Sequence, residues 1–189
     1  MPNVKLLNYL HLHFIVFIWG FTAVLGALIS VDAVPLVWFR MSIASVLILG
    51  WIAYKKTPLK FSPKTIAIFL IAGAIIAVHW LTFFAAIKIA NVSITLAIMS
   101  TGSFFTAFLE PIFYKRKIIW YEVVFGLIVV LGLYVIFQVE GDYTWGIILA
   151  LISSFLSALF SVINGKLAKK HNASAISFYE LFFGVCCIS

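Results

Sequence analysis

Charge is scarce in this sequence. Lys, Arg, Asp and Glu make up 10% of its 189 residues, against ~25% in an ordinary soluble domain. Six residues are acidic. So few charges cannot cover the surface of a soluble domain of this length. Cysteine is scarcer still, with only the adjacent pair Cys186 and Cys187, which excludes a disulfide scaffold. There is no nucleotide-binding loop. No His-Asp or Cys-His grouping stands ready to activate a nucleophile. Disorder and a soluble enzyme are excluded on the same grounds, and no cofactor or metal site is expected. The net charge of +7 would ordinarily suggest a nucleic-acid partner. Here the basic residues lie between apolar runs, so no nucleic acid is expected and the lipid bilayer is the partner.

What the chain has in abundance is apolar surface. Apolar residues form 65% of it, and the mean hydropathy is +1.18. A membrane helix needs about 20 such residues to cross ~30 Å of hydrocarbon. Six runs meet that length: 12–30, 34–54, 65–87, 91–114, 118–139 and 144–165. A seventh begins near Ala173 and reaches Ser189. The expected class is therefore an all-α polytopic membrane protein. The boundary between the third and fourth runs is the least obvious. Lys88 and Asn91 mark it, and Asn91 is a good N-cap, so a tight helical hairpin is expected there.

Cytoplasmic loops collect Lys and Arg. With the N-terminus inside, 11 of the 13 basic residues fall on the cytoplasmic side. Arg40 and Lys88 are the exceptions. Asp32, Glu140 and Asp142 fall on the opposite side. The expected location is the cell (inner) membrane, multi-pass, with a cytoplasmic N-terminus.

The segment around Phe17-Ile18-Trp19-Gly20 aligns loosely with Phe155-Leu156-Ser157-Ala158. Pro35 to Arg40 then falls over Ala175 to Glu180. Helices one and six become equivalent, so the repeat is five helices long. An odd repeat reverses its orientation in the membrane, as in many secondary transporters. Residues 1–142 would form the first repeat, and 143–189 would begin a second.

With these residues in place, the sequence resembles the EamA-type branch of the drug/metabolite transporter superfamily. The resemblance rests on Trp19-Gly20, on Pro35 with Arg40, and on Phe83-Phe84-Ala85-Ala86-Ile87 through Ala97 to Glu110-Pro111. Glu122, Gly126, Gly132 and Gly146 add to it. It implies ten helices in two inverted five-helix halves, a central cavity, and export or uptake of small metabolites. About seven of those ten helices are present here, so the second repeat is expected to be incomplete.

Several residues could serve such a cavity. Arg40 lies about six residues into the second helix, roughly 9 Å deep at 1.5 Å per residue. Its planar fork suits a substrate carboxylate or phosphate. The competing reading is an Arg that snorkels outward or pairs with Asp32. Glu180 is its repeat mate, with an interfacial Glu beside Lys169 or Lys170 as the alternative. His79 sits near the middle of the third helix. It could relay protons, or it could simply bond a carbonyl or Ser of a neighbouring helix. His11 and His13 point apart on a helix and do not suggest a metal site.

Ser100, Ser103, Ala107 and Glu110 share one helix face, a possible cavity stripe that Pro111 would loosen. Plain packing, with Glu110 bonded to Lys115 or Arg116, is the other reading. Trp19, Trp38 and Trp80 lie deep enough to stack on a substrate or to fill space between helices. Ser153, Ser157, Ser161 and Gly165 recur every four residues, as do Thr22, Gly26 and Ser30, and such rows let helices approach closely.

The expected function is secondary transport of small metabolites such as amino acids, in the export direction, by alternating access. A catalytic role is not expected. The alternatives are a non-transporting membrane assembly subunit that pairs with another chain, a homo-oligomer included, and, less favoured, a lipid-modifying membrane enzyme.

Overall fold

The computed structural model describes residues 4–139 and 141–189. Glu140, one of the acidic residues expected on the outer side, lies outside the described residues. The described residues form helices and no strand. Helix α1 spans Val4–Leu28, α2 Ala33–Lys55, and α3 Pro63–Ile89. The fourth apolar run divides into α4, Val92–Met99, and α5, Gly102–Tyr114. Then come α6, Trp120–Val139, α7, Thr144–Leu167, and α8, Ala173–Ile188. Among the described residues, five segments are long and apolar enough to cross a membrane, taking α4 and α5 as one, and Trp120–Val135 and α8 form shorter apolar stretches.

Local chemistry explains where the helices begin. Ser62 caps α3, accepting from Thr65 N at 3.2 Å, and Pro63 follows at the first helical position. Asn91 caps α4 through Oδ1, which accepts from Ile94 N at 2.9 Å, so the expected hairpin is present. Asn172 caps α8 in the same way, bonding Ser174 N and Ala175 N. Two helices, α2 and α5, end on a lysine in the left-handed region, at Lys56 and Lys115. Lys88 breaks the charge rule, and its ammonium donates to the Ile29 carbonyl just past the end of α1. A cation at the negative end of a helix dipole is favourable.

Helix α3 stands at the centre. It packs on α7, α8 and α2, with lighter contacts to α1 and α4. Helix α8 lies against both α2 and α3. Close approach of α3 and α8 depends on glycine at one point. A Cβ on Gly73 would stand 2.6 Å from the Glu180 carbonyl oxygen, and one on Gly184 would stand 3.1 Å from the Gly73 carbonyl oxygen.

Polar and apolar side chains are distributed as a bilayer demands. Ser45, His79, Thr95, Thr101, Ser153, Ser154 and Glu180 are buried, while Val46, Leu47, Leu131 and many like them are exposed. Hydrocarbon outside leaves polar groups no partner except one another. Thr101 Oγ1 lies 2.9 Å from Ser154 Oγ, which donates to the Met99 carbonyl at 3.2 Å. These bonds fasten α7 to the break between α4 and α5.

That break replaces the uninterrupted helix expected over 91–114. Ser100, Thr101 and Ser103 hydroxyls each donate to a carbonyl three residues earlier. Such bonds compete with the helical ladder. Cys186 and Cys187, near the end of α8, are both exposed and free.

Candidate substrate cavity and ion triad

Helices α1, α2, α3, α7 and α8, with Met99 at the end of α4, line a half-open cavity of about 500 Å³. Its charged and titratable lining residues are Arg40, His79 and Glu180. Aromatic walls come from Trp19, Trp80, Phe83, Phe84 and Phe160, and hydroxyls from Thr22, Ser157, Ser161 and Ser177.

Arg40 is the eighth residue of α2. Its guanidinium lies 4.6 Å from the centre of the Trp80 ring and 5.6 Å from that of Phe84. A cation over the negative face of a ring is attracted without being neutralised. Among the described residues, ion pairs within 4.0 Å are confined to Arg116, so Arg40 holds neither Asp32 nor Glu180. Its charge and planar fork remain free to take a bidentate anion.

His79 is tied to α7. Nδ1 lies 2.9 Å from the Ser153 carbonyl, which can only accept, so Nδ1 carries the proton. Ser153 Oγ donates to the His79 carbonyl at 3.0 Å. This is the bonded-histidine arrangement weighed from the sequence, with one edge of the ring on the cavity. Ser153→Ala removes the return bond and is expected to lower stability by about 0.5–2 kcal/mol. A thermal unfolding series in detergent checks it, and a melting curve unchanged from wild type would contradict the role.

Glu180 is buried at 3% exposure. Oε2 accepts from Asn164 Nδ2 at 3.3 Å, and Oε1 has no hydrogen-bond partner. The interfacial alternative, beside Lys169 or Lys170, does not describe this geometry. Asn164 escaped the sequence reading. It stands three residues past Ser161 on α7, and an isolated amide inside a span was the available signal.

The remaining sequence candidates separate. Trp19 lines the cavity edge but is 68% exposed. Trp38 turns away from it, and its Nε1 donates to Ser189 Oγ at 2.9 Å. The expected stripe on the fourth span is divided. Ser100 sits at the break, its hydroxyl turned back to the Ala97 carbonyl. Ser103, Ala107 and Glu110 keep a common face and line a second cavity of about 410 Å³ against α6.

There Arg116 bridges two carboxylates, Glu110 at 2.9 Å and Glu122 at 2.7 Å. The hydrogen bond that Arg116 donates to Glu122, then the one it donates to Glu110, holds the guanidinium proton more tightly than usual. The triad closes the short α5–α6 loop. Glu110 is thus engaged in a structural ion pair, away from the Arg40 cavity.

The small-residue rows also divide. Ser157, Ser161 and Thr22 face the cavity. Gly26 admits the Phe84 ring, and Gly165 admits the Tyr114 hydroxyl.

A multi-pass helical bundle with a charged, aromatic-walled cavity is compatible with a membrane transporter. The EamA-like transporter family matches residues 8–138, more than half of the chain. The chain belongs to that family. No curated protein and no solved structure matches it.

Proposed function

We propose that this protein is a secondary transporter of small metabolites that carry a carboxylate, amino acids foremost, and that it works as an exporter in the cell membrane with its N-terminus in the cytoplasm. The observation that carries the reading is Arg40, a stacked cation without an acidic partner on the wall of a cavity of about 500 Å³. Such a space accommodates an amino-acid-sized solute, and the aromatic walls suit an apolar side chain. Alternating access follows if 1–142 and the helices from 143 onward behave as inverted repeats rocking about the cavity. No nucleotide-binding loop is present in the sequence, so a gradient would supply the energy.

The test is flux in liposomes. Purified protein is reconstituted, vesicles are loaded with a radiolabelled mixture of L-amino acids, and efflux is compared with protein-free vesicles. Efflux that saturates with concentration supports the reading. Folded protein that moves no member of the mixture overturns it.

A further inference from the structure

Two lysines share one aromatic ring at the end of α7. Lys166 Nζ lies 5.6 Å from the centre of the Tyr114 ring, and Lys169 Nζ lies 5.2 Å from it. Lys166 Nζ is also 5.6 Å from the centre of Phe113. The Tyr114 ring is held in place, because its hydroxyl donates to the Val162 carbonyl at 3.1 Å in the space left by Gly165. Two like charges gathered around one fixed ring repel each other.

No carboxylate answers them. Helix α7 contains no acidic residue. Among the described residues, ion pairs within 4.0 Å are confined to Arg116, which engages Glu110 of α5 and Glu122 of α6. The triad therefore takes up both acids of those helices and leaves Lys166 and Lys169, with Lys115 and Lys117 beside it, unneutralised. The carbonyl end of α7 attracts a cation but carries only a partial charge. Both spans end here, at Tyr114 and Leu167, which is the depth of lipid headgroups.

An apolar seam runs inward from the lysines between the same two helices, which pack together. Phe113 meets Lys166 at the outer end, and Phe105 meets Phe155 deeper in, with ring centres 5.4 Å apart. From Phe113 to Phe105 is about 12 Å at 1.5 Å per residue. Phe155 is exposed, and Phe105 and Phe113 are partly so. Cations at headgroup depth above an apolar seam match a phosphate above an acyl chain. A free phosphate would use the lysines and leave the seam without a role.

We propose that this end of α5 and α7 binds an anionic phospholipid, its phosphate between Lys166 and Lys169 and one acyl chain along the seam from Phe113 to Phe105. None of these residues lines the Arg40 cavity, so the site stands apart from the transport reading.

Two measurements on the full chain test it. In the first, protein in detergent is equilibrated with equal amounts of phosphatidylglycerol and phosphatidylcholine bearing the same chains, and retained lipid is counted by native mass spectrometry. Wild type is expected to prefer phosphatidylglycerol. Lys166→Gln combined with Lys169→Gln is expected to weaken that preference roughly 30-fold. Both lysines are exposed, so the core is untouched. Lys60→Gln combined with Lys64→Gln removes equal charge from exposed lysines at the start of α3 and is expected to leave the preference nearly unchanged. Equal losses in the two double variants overturn the site. The second measurement needs no variant. Phosphatidylglycerol with a diazirine in one acyl chain is photolysed with wild type in lipid, and labelled peptides are expected to fall within 105–117 and 155–170. Label spread evenly over the exposed spans overturns the proposal. So does displacement of the lipid by inorganic phosphate at constant ionic strength, which would assign the lysines to a free anion.

Discussion

Arg40→Ala is expected to reduce efflux of carboxylate-bearing solutes from reconstituted vesicles by about 30-fold or more. The loss of one partner from a desolvated, hydrogen-bonded charge pair costs ~2–5 kcal/mol, and each ~1.4 kcal/mol is a factor of ten. The guanidinium lies against the rings of Trp80 and Phe84. Removing it deletes the cation that faces the cavity and leaves the aromatic wall in place. Arg40→Lys separates charge from shape. It keeps the positive charge but loses the planar fork and the stacking, so an intermediate loss is expected. Amines without a carboxylate should be indifferent to both changes. Equal efflux of amino acids from wild-type and Arg40→Ala vesicles would remove Arg40 from the site.

The second large effect falls on the fold. Gly73→Leu places a side chain where α3 meets the backbone of α8. Its Cβ would stand 2.6 Å from the Glu180 carbonyl oxygen, 3.0 Å from Phe183 Cβ and 3.2 Å from Gly184 N. A flexible side chain could rotate away, but a carbonyl in a helix cannot. The two helices must separate, which disturbs the Glu180 wall of the cavity. Overpacking ordinarily costs ~1–3 kcal/mol, and a clash with backbone belongs at or above the upper figure. At ~2–4 °C per kcal/mol, melting should fall by roughly 6–12 °C. Gly20→Leu and Gly50→Leu are the internal controls. Both glycines are helical, and nothing lies within 4 Å of the added Cβ. Size-exclusion thermal profiles in detergent compare the three. Gly73→Leu melting with the two controls would refute the close crossing.

The spans were legible because hydrocarbon imposes a length on them. Every apolar run read from the sequence is helical, the fourth as two helices, with outer ends shifted by two residues or fewer except at α1, which begins at Val4 rather than near 12. Asn91 was readable as a cap because amide oxygens at that position have one common use. The break at Ser100 and Thr101 was not legible. Pro111 was the conspicuous helix disruptor, yet α5 runs through it to Tyr114. The helix gives way instead where hydroxyls bond back to carbonyls and Ser154 meets Thr101 from another helix. The site was half legible. Arg40, His79, Trp80 and Glu180 stood out as costly or bulky groups inside spans, and they share one cavity. Their partners did not stand out. Asn164 and the turned-away Trp38 are settled by contacts between residues 16 and 151 positions apart. Spacing along one helix carries no information about such pairs. Glycines behaved likewise. Gly126 and Gly146 are explained by Phe104 and Ala90 pressed against them, whereas Gly20 and Gly132 meet open space.

The wedging of α8 against α2 and α3 sets a timetable for biosynthesis. The first residue of α3 leaves the ribosome about 110 residues before the first residue of α8. At ~5–20 residues per second, the nascent chain waits roughly 5–20 s for α8 to follow. Through that interval the faces of Met41 and Gly73 that will receive α8 stand open to lipid or to the insertion machinery. The charged lining of the cavity is likewise unsealed until translation has passed Glu180. The insertion machinery must therefore hold Arg40, a costly guest in lipid, long before its chamber exists.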